Sequence, residues 1–169
     1  MKNKIKYIVL DIETTGLNPI DNQVTCICMK NQDGYTYVGY DGGKKSFTEQ
    51  QLIMEAVEWI YESKPDIIIT KNGKQFDIPF MTVRNTNIGN TLLNIKHIDL
   101  QEITQGRVKL VDMAYLMGLK INKSGYGKDA IMLFKEKKFE ELIRYCKQDV
   151  EVTEQVYLKW LKLSEKVKK

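Results

Sequence analysis

Two carboxylates stand one residue apart at the end of a short apolar run near the start of the chain. Asp11 and Glu13 follow Ile5–Leu10, a segment whose composition is typical of a β-strand buried on both faces. Because residues i and i+2 of a strand point to the same face, the two carboxylates are predicted to lie side by side. Adjacent negative charges favour a cation between them, and hard oxygen ligands suit Mg²⁺ or Mn²⁺. Exposed charges at the end of a strand are the alternative explanation.

Further groups of the same kind occur in two later segments. Asp77 follows a second buried-type strand at Asp66–Thr70 and opens a predicted helix, where it could equally well serve as a helix cap. Tyr145 and Asp149 are four residues apart in a helical segment, so the phenol and the carboxylate share one face, with Cβ atoms about 6 Å apart. A tyrosine at the edge of the core and an aspartate on the surface would explain this pair as simply.

The three segments together resemble the DEDD exonuclease superfamily, the DnaQ-like group with a ribonuclease H-like fold. The strings similar to its three motifs are, in order, Asp11-Ile12-Glu13-Thr14-Thr15-Gly16, Asn72 with Phe76-Asp77, and Tyr145-x-x-x-Asp149. The resemblance extends over residues 5–157. The histidine branch of the superfamily would need a histidine where this chain has Arg144. The resemblance is therefore to the tyrosine (DEDDy) branch, which includes the proofreading domains of DNA polymerases.

The resemblance implies a metal-dependent 3′→5′ exonuclease that uses two divalent ions, Mg²⁺ or Mn²⁺. Asp11, Glu13 and Asp149 would hold one ion. Asp11 would also bridge to a second ion, whose waters Asp77 would fix, and Tyr145 would orient the attacking water. The residues that the resemblance assigns to the terminal nucleotide are Thr14, Thr15, Leu17, Asn72 and Phe76. A place in the core is the alternative for Phe76.

The expected substrate is the 3′ end of single-stranded nucleic acid. DNA is favoured over RNA because the resemblance is to proofreading domains, and a polymerase or another replication or repair protein is a possible partner. An RNA-directed 3′→5′ exoribonuclease is one alternative, and an endonuclease on the same scaffold is another. A catalytically silent module that binds nucleic acid or docks a partner is the alternative from a different class. Clustered carboxylates argue against silence, because they repel a polyanion unless a metal ion is bound.

The elements that must position these residues follow from the apolar periodicity. Gln23–Met29 and Tyr35–Tyr40 alternate and are joined by a turn-rich tetrad, so they predict an antiparallel meander with the first strand. A helical stripe covers Thr48–Ser63, with Thr48 as its N-cap. The remaining predicted elements are the strand Asp66–Thr70, a helix at Phe76–Arg84, a strand at Ile95–Leu100 and a mostly helical tail from Val108. The fold class is α/β, a mixed five-stranded sheet flanked by helices, with the meander first and parallel strands after it.

Several other residues compete for functional roles. Asp99 is the main rival as a fourth metal ligand, although the resemblance implies a structural acid there. Asp112 begins a helical stripe and is predicted to be a cap. The loop Asn122–Lys128 contains two glycines and is a candidate flap. Lysines that could meet phosphates, or be simply solvated, are Lys74, Lys123 and Lys128.

Composition limits the range of protein classes. With 169 residues and 43% hydrophobic content, the chain is predicted to be a single domain, residues 1–169. Residues 1–105 carry 11 basic and 13 acidic side chains, and residues 106–169 carry 15 and 9, so the second part is the more suited to a polyanion. The three cysteines show no paired metal spacing and are interpreted as buried reduced thiols. The apolar runs are too short for a secretory signal or a membrane span, so we expect a cytoplasmic protein without membrane contact.

Overall fold

A mixed β-sheet forms the centre of the protein. The computed structural model describes residues 5–42, 48–104, 106–121 and 127–167. Within them the strands are β1 (Tyr7–Thr14), β2 (Val24–Asn31), β3 (Thr36–Tyr40), β4 (Ile67–Thr70) and β5 (Lys96–Asp99). Their spatial order is β3-β2-β1-β4-β5, in which β1, β2 and β3 pair antiparallel and β1, β4 and β5 pair parallel. The predicted fold class is confirmed.

Helices cover both faces of this sheet. The α-helices of the described residues are α1 (Glu49–Ser63), α2 (Asp77–Arg84), α3 (Gly89–Leu93), α4 (Leu110–Leu116), α5 (Gly127–Lys135) and α6 (Phe139–Val167). Short 3-10 helices occur at Thr86–Ile88 and Leu100–Ile103. The periodicity did not predict α3 or the 3-10 turns, because segments of three to five residues are too short to show a helical stripe.

The central strand β1 lies between two apolar layers. Ile8, Leu10 and Ile12 belong to the layer that contains the buried side chains of α1 and α2. Val9 belongs to the other layer, which α4, α5 and α6 cover. β1 extends to Thr14, beyond the predicted end at Leu10, because its pairing with β2 continues to that residue. The two carboxylates of the first motif therefore lie inside the paired part of the strand.

Helix α1 begins and ends at the predicted signals. The Thr48 side chain accepts a hydrogen bond from the Gln51 backbone N–H, and the Gln51 side chain accepts one from the Thr48 backbone, which together form a capping box. The predicted N-cap is confirmed. The helix ends at Ser63, and its C-cap Lys64 adopts a left-handed conformation with φ of 45° before Pro65.

A polar network joins helix α6 to the sheet near Tyr7, at the start of β1. The Tyr7 hydroxyl of β1 donates a hydrogen bond of 2.9 Å to Glu154 Oε1. Lys30 of β2 forms an ion pair of 2.7 Å with the same carboxylate and one of 3.0 Å with Glu151. Glu154 is 9% exposed, so this network is largely removed from solvent. It connects one helix to two strands.

Two details differ from expectation or cannot be compared with it. The predicted cap role of Asp112 is wrong: α4 begins earlier, with Lys109 as N-cap and the apolar Leu110 already buried, and Asp112 lies exposed in the first turn. Residues 122–126 of the predicted flap, with Lys123, lie outside the described residues, as does the side chain of Lys128.

Among the described helices, none combines the length and apolar character needed to cross a membrane.

Candidate metal and nucleic-acid site

The carboxylates of β1 lie on the face of the sheet that α6 covers. Asp11 pairs with Cys28 and Glu13 pairs with Cys26 across the β1–β2 ladder, so these four side chains point to the same side. Carboxylate oxygens of Asp11 and Glu13 and the sulfur of Cys146 all lie within 4.8 Å of one another. Asp11 is half-buried and Glu13 is 8% exposed. The structure places the two carboxylates side by side, as alternation along the strand predicts.

Asp77 is brought to the same strand from α2. It is the first residue of that helix, the N-cap position belongs to Phe76, and Phe76 makes no side-chain cap hydrogen bond. The carboxylate Oδ1 of Asp77 instead accepts a hydrogen bond of 3.1 Å from the backbone N–H of Ile12, between the two carboxylates of β1. The Asp77 carboxylate also accepts a hydrogen bond from its own backbone N–H at the start of α2, so the helix-cap interpretation describes one of its contacts and the bond to Ile12 another. Burial raises the pKa of Asp77 to about 7, although the Ile12 N–H opposes this shift.

Tyr145 and Asp149 come from the middle of α6 and are 7% and 8% exposed. The alternative interpretation of Asp149 as a surface charge is therefore wrong. Burial raises the pKa of the Tyr145 phenol above its ordinary value, and the charge of Asp149 raises it further. The tyrosine therefore remains protonated at neutral pH and can donate a hydrogen bond to a nearby oxygen.

The carboxylates of Asp11, Glu13, Asp77 and Asp149 repel one another. Burial raises the pKa of Asp11 well above its ordinary value, and Asp149 adds most to this effect among the neighbouring charges. Glu13 and Asp77 raise it further. Carboxylates from three separate elements thus approach one another closely enough to oppose each other's ionisation. A divalent cation with oxygen ligands would relieve this repulsion, so the donor set fits hard ions such as Mg²⁺ or Mn²⁺.

The turn before α2 is held by Asp99 from β5. Asp99 Oδ1 accepts hydrogen bonds of 2.6 Å from the Asn72 N–H and 2.9 Å from the Gln101 N–H, and its Oδ2 accepts one of 3.0 Å from the Lys74 N–H. These bonds explain a buried Asp99 as a structural acid. Asn72 adopts a left-handed conformation with φ of 68°. Its side-chain Oδ1 is buried and has no hydrogen-bond partner among the described residues.

The two threonines of the first motif use their hydroxyls within the chain. Thr14 Oγ1 donates a hydrogen bond of 2.7 Å to the carbonyl of Gly16. Thr15 Oγ1 accepts one of 3.0 Å from the Gln23 N–H. Their side chains therefore shape the turn after β1. The Thr15 backbone N–H is engaged in the same turn, because it donates a hydrogen bond of 3.0 Å to the Gln23 carbonyl.

The two apolar residues assigned to the nucleotide differ in exposure. Leu17 is 82% exposed and lies beyond the end of β1. Phe76 is half-buried, packs against the apolar layer of α1 and α2, and its ring centroid lies 5.4 Å from that of Phe80. Phe76 therefore has the core contacts that its alternative interpretation requires. Lys74 is exposed and forms an ion pair of 2.8 Å with Glu102.

The cysteines lie closer to this site than the sequence indicated. All three are buried and free, as predicted. Cys146 of α6 meets Cys26 and Cys28 of β2, and their sulfur atoms lie within 4.8 Å of one another. The Cys146 sulfur is also 3.5 Å from Asp11 Oδ2. Two features of the sequence are consistent with thiols near the site: Cys26 and Cys28 have i, i+2 spacing in the strand next to β1, and Cys146 follows Tyr145.

Comparisons with known proteins agree with this fold. A DNA polymerase of Thermococcus aggregans is 40% identical over 45 residues, which are 27% of this chain and 2% of that protein. The structure of the family B DNA polymerase from the hyperthermophilic archaeon Pyrobaculum calidifontis matches with a TM-score of 0.73 and 21% identity, over 97% of this chain and 24% of that chain. The chain spans a quarter or less of the length of each polymerase.

The family assignment has a broader basis than these partial matches. A family model described as RNase_H superfamily matches residues 8–161. This range includes all five strands except the first residue of β1, together with the site segments on β1, α2 and α6. The superfamily and the ribonuclease H-like fold expected from the motifs are confirmed, and the chain belongs to the RNase_H superfamily.

Proposed function

We propose that this protein is a 3′→5′ exonuclease of the DEDDy type that hydrolyses single-stranded DNA and releases nucleoside 5′-monophosphates. One observation carries the proposal: Asp77 of α2 bonds to β1 between Asp11 and Glu13, and these carboxylates with Asp149 of α6 are close enough to oppose the ionisation of Asp11. A group of carboxylates that repel one another is unfavourable for folding, and a metal-dependent reaction on phosphate explains why they lie together. The proposal treats residues 1–169 as one exonuclease domain.

The carboxylates have distinct tasks in this proposal. Asp11, Glu13 and Asp149 would hold one Mg²⁺ or Mn²⁺ ion, and Asp11 would help to hold a second ion whose waters Asp77 would fix. The two ions would supply an activated water and would stabilise the charge on the entering and leaving oxygens at phosphorus. The Ile12 N–H fixes the orientation of the Asp77 carboxylate through its bond of 3.1 Å, so the strand itself orients a ligand from another element.

Tyr145 positions the attacking water in this proposal. Its hydroxyl belongs to the same buried group as Asp149, and its pKa lies above the ordinary value of 10.0 because of burial. A phenol that holds its proton so firmly is a poor general base at neutral pH. Its contribution is therefore a hydrogen bond that orders the water.

The terminal nucleotide contacts the residues around the first two motifs. Leu17, with 82% of its surface exposed, provides an apolar contact to a base. The buried Asn72 Oδ1, which has no partner among the described residues, is placed to accept a hydrogen bond from the substrate. The Thr14 backbone and the ring of Phe76 complete the proposed contacts, whereas the Thr15 N–H is already donated to the Gln23 carbonyl at 3.0 Å. Both DNA polymerase matches favour DNA over RNA and suggest a polymerase or another replication or repair protein as partner.

Digestion of a 5′-labelled single-stranded oligonucleotide with Mg²⁺ or Mn²⁺ tests the proposal. The native protein should produce a ladder shortened from the 3′ end. Asp149→Asn should produce none, because it removes a ligand charge while keeping the side-chain shape. Asp112→Asn, which changes an exposed acid of α4, is the matched control and should cut like the native protein. A native protein that binds the strand without shortening it would support the silent-module alternative.

Two further substrates separate the remaining alternatives. A circular single strand has no 3′ end, so an exonuclease should leave it intact and an endonuclease should open it. A matched RNA strand should be degraded more slowly than the DNA strand. Faster degradation of RNA would replace the proposal with a 3′→5′ exoribonuclease, because the choice between them depends on contacts at the 2′ position.

A further inference from the structure

The three thiols of the chain lie together, next to the carboxylates of β1. The chain contains three cysteines. Cys26 and Cys28 lie on the α6 side of β2, and Cys146 reaches them from α6, next to Tyr145. Each is buried, with at most 1% of its surface exposed. The proposed hydrolysis of DNA uses none of these sulfur atoms.

The spacing of the sulfur atoms is that of ligands around a metal ion. Zinc binds thiolates at about 2.3 Å in tetrahedral geometry, which puts two sulfurs on one ion about 3.8 Å apart. The sulfur atoms of Cys26 and Cys28 are 3.9 Å apart. Cys146 completes a triad in which every sulfur lies within 4.8 Å of the others. Small rotations of the side chains would bring all three onto one ion.

A fourth ligand is present on the side that faces the carboxylates. Asp11 Oδ2 lies 3.5 Å from the sulfur of Cys146, which belongs both to the thiol triad and to a second triad with Asp11 and Glu13. Three thiolates and one carboxylate would complete a tetrahedral set. Asp11 is half-buried whereas the thiols are fully buried, so an ion would enter past this carboxylate.

We propose that Cys26, Cys28 and Cys146 form a site for a thiophilic divalent ion of the Zn²⁺ class, with Asp11 as the fourth ligand. Mg²⁺ prefers oxygen ligands and does not compete for the thiolates. An ion bound here keeps Asp11 from bridging the hard ions of the proposed exonuclease. Zn²⁺ therefore acts as an inhibitor of DNA hydrolysis, a consequence that rests on the proposed function, whereas binding itself does not.

Titration with Cd²⁺ tests binding without any reference to activity. The protein is kept reduced with a reductant that has no thiol, and Mg²⁺ is left out because it would compete for the Asp11 carboxylate. The native protein should develop the ultraviolet absorption band of cadmium–thiolate bonds and saturate at one ion per chain. Cys28→Ala should weaken binding by about a hundredfold or more, because even the loss of a group that only orients a ligand costs about 10-fold to 100-fold.

The matched control is Ile27→Val, which shortens a buried side chain on the other face of β2, in the layer of α1 and α2, and should leave the band unchanged. A native protein without the band overturns the proposal even if a variant fails to fold. An equal band in Cys28→Ala overturns it as well, because the ion would then be held elsewhere.

A second measurement tests the consequence for hydrolysis. One equivalent of Zn²⁺ should inhibit the Mg²⁺-dependent shortening of DNA by the native protein, and Cys28→Ala should resist this inhibition. Equal inhibition of both proteins would contradict a role for the thiol site. If no protein shortens DNA under any condition, the proposed function fails, and the cadmium band still decides whether the thiol site exists.

Discussion

The metal-free protein should lose stability as the pH rises towards neutrality, and Asp77 is the residue that tests this expectation. Its carboxylate is buried, and burial raises its pKa from 3.8 to about 7. The unfolded chain therefore releases this proton near pH 4, whereas the folded protein keeps it until about pH 7. A folded state that binds more protons than the unfolded state is favoured at low pH. This contribution is present below pH 4 and is lost as the pH passes through about 7.

The size of the effect follows from the two pKa values of Asp77. A rise from 3.8 to about 7 corresponds, at 1.36 kcal/mol for each unit, to a loss of about 4 kcal/mol in the free energy of unfolding. Asp77→Asn keeps a carbonyl oxygen for the Ile12 N–H but carries no charge. Between pH 4 and pH 8, the free energy of unfolding of the variant should therefore rise by about 4 kcal/mol relative to that of the native protein. Mg²⁺ should stabilise the native protein at pH 8 more than the variant, because it pairs with the ionised carboxylate.

Urea unfolding, followed by circular dichroism in the presence of a chelator, measures this difference across the pH range. The comparison with Asp77→Asn matters because other groups also titrate. Burial lowers the pKa of His97, for example, which makes the native protein less stable at low pH. Both proteins share that contribution, so their difference isolates Asp77 and the carboxylates coupled to it. Parallel pH profiles for the two proteins would refute the reasoning.

Three further substitutions have distinct expected outcomes. Tyr145→Phe removes the water-ordering hydroxyl and should lower kcat about a hundredfold, because loss of one oriented donor has an effect of this size. KM should change little. An unchanged kcat in steady-state DNA digestion would show that the tyrosine has no part in the mechanism. Asp99→Ala leaves three backbone N–H groups without their acceptor and should lower the free energy of unfolding by about 3 kcal/mol in urea denaturation. Thr48→Ala breaks the capping box of α1 and should cost about 1 kcal/mol in the same assay, whereas a loss of zero would mean that the cap is not formed in solution.

The parts of the fold that the sequence predicted are those with local signals. β1 was predicted because its apolar run has the length and composition of a buried strand. α1 was predicted because Thr48 caps a regular stripe that Pro65 closes. The extension of β1 to Thr14 was not predicted, because it depends on the partner strand β2 rather than on the residues of β1 alone.

The same distinction applies to the candidate site. The shared face of Asp11 and Glu13 follows from strand alternation alone. The environment of Asp77 does not, because its carboxylate is held by Ile12, 65 residues earlier in the chain. The thiol triad depends on the register that pairs Asp11 with Cys28 and on the rotation of α6 about its axis. The spacing of the residues shows neither the register nor the rotation, so the i, i+2 spacing of Cys26 and Cys28 indicates a shared face but not a triad with Cys146.

The attachment of α6 at Glu154 has a consequence for the kinds of mutation that the gene can tolerate. Glu154 fixes the helix rotationally through its contacts with Tyr7 and Lys30, and Asp149 lies five residues before it. Insertion or deletion of one residue between Asp149 and Glu154 would turn one part of the helix by about 100° relative to the other. Either the carboxylate would leave the site or the attachment would break. Changes in the length of this segment should therefore be eliminated.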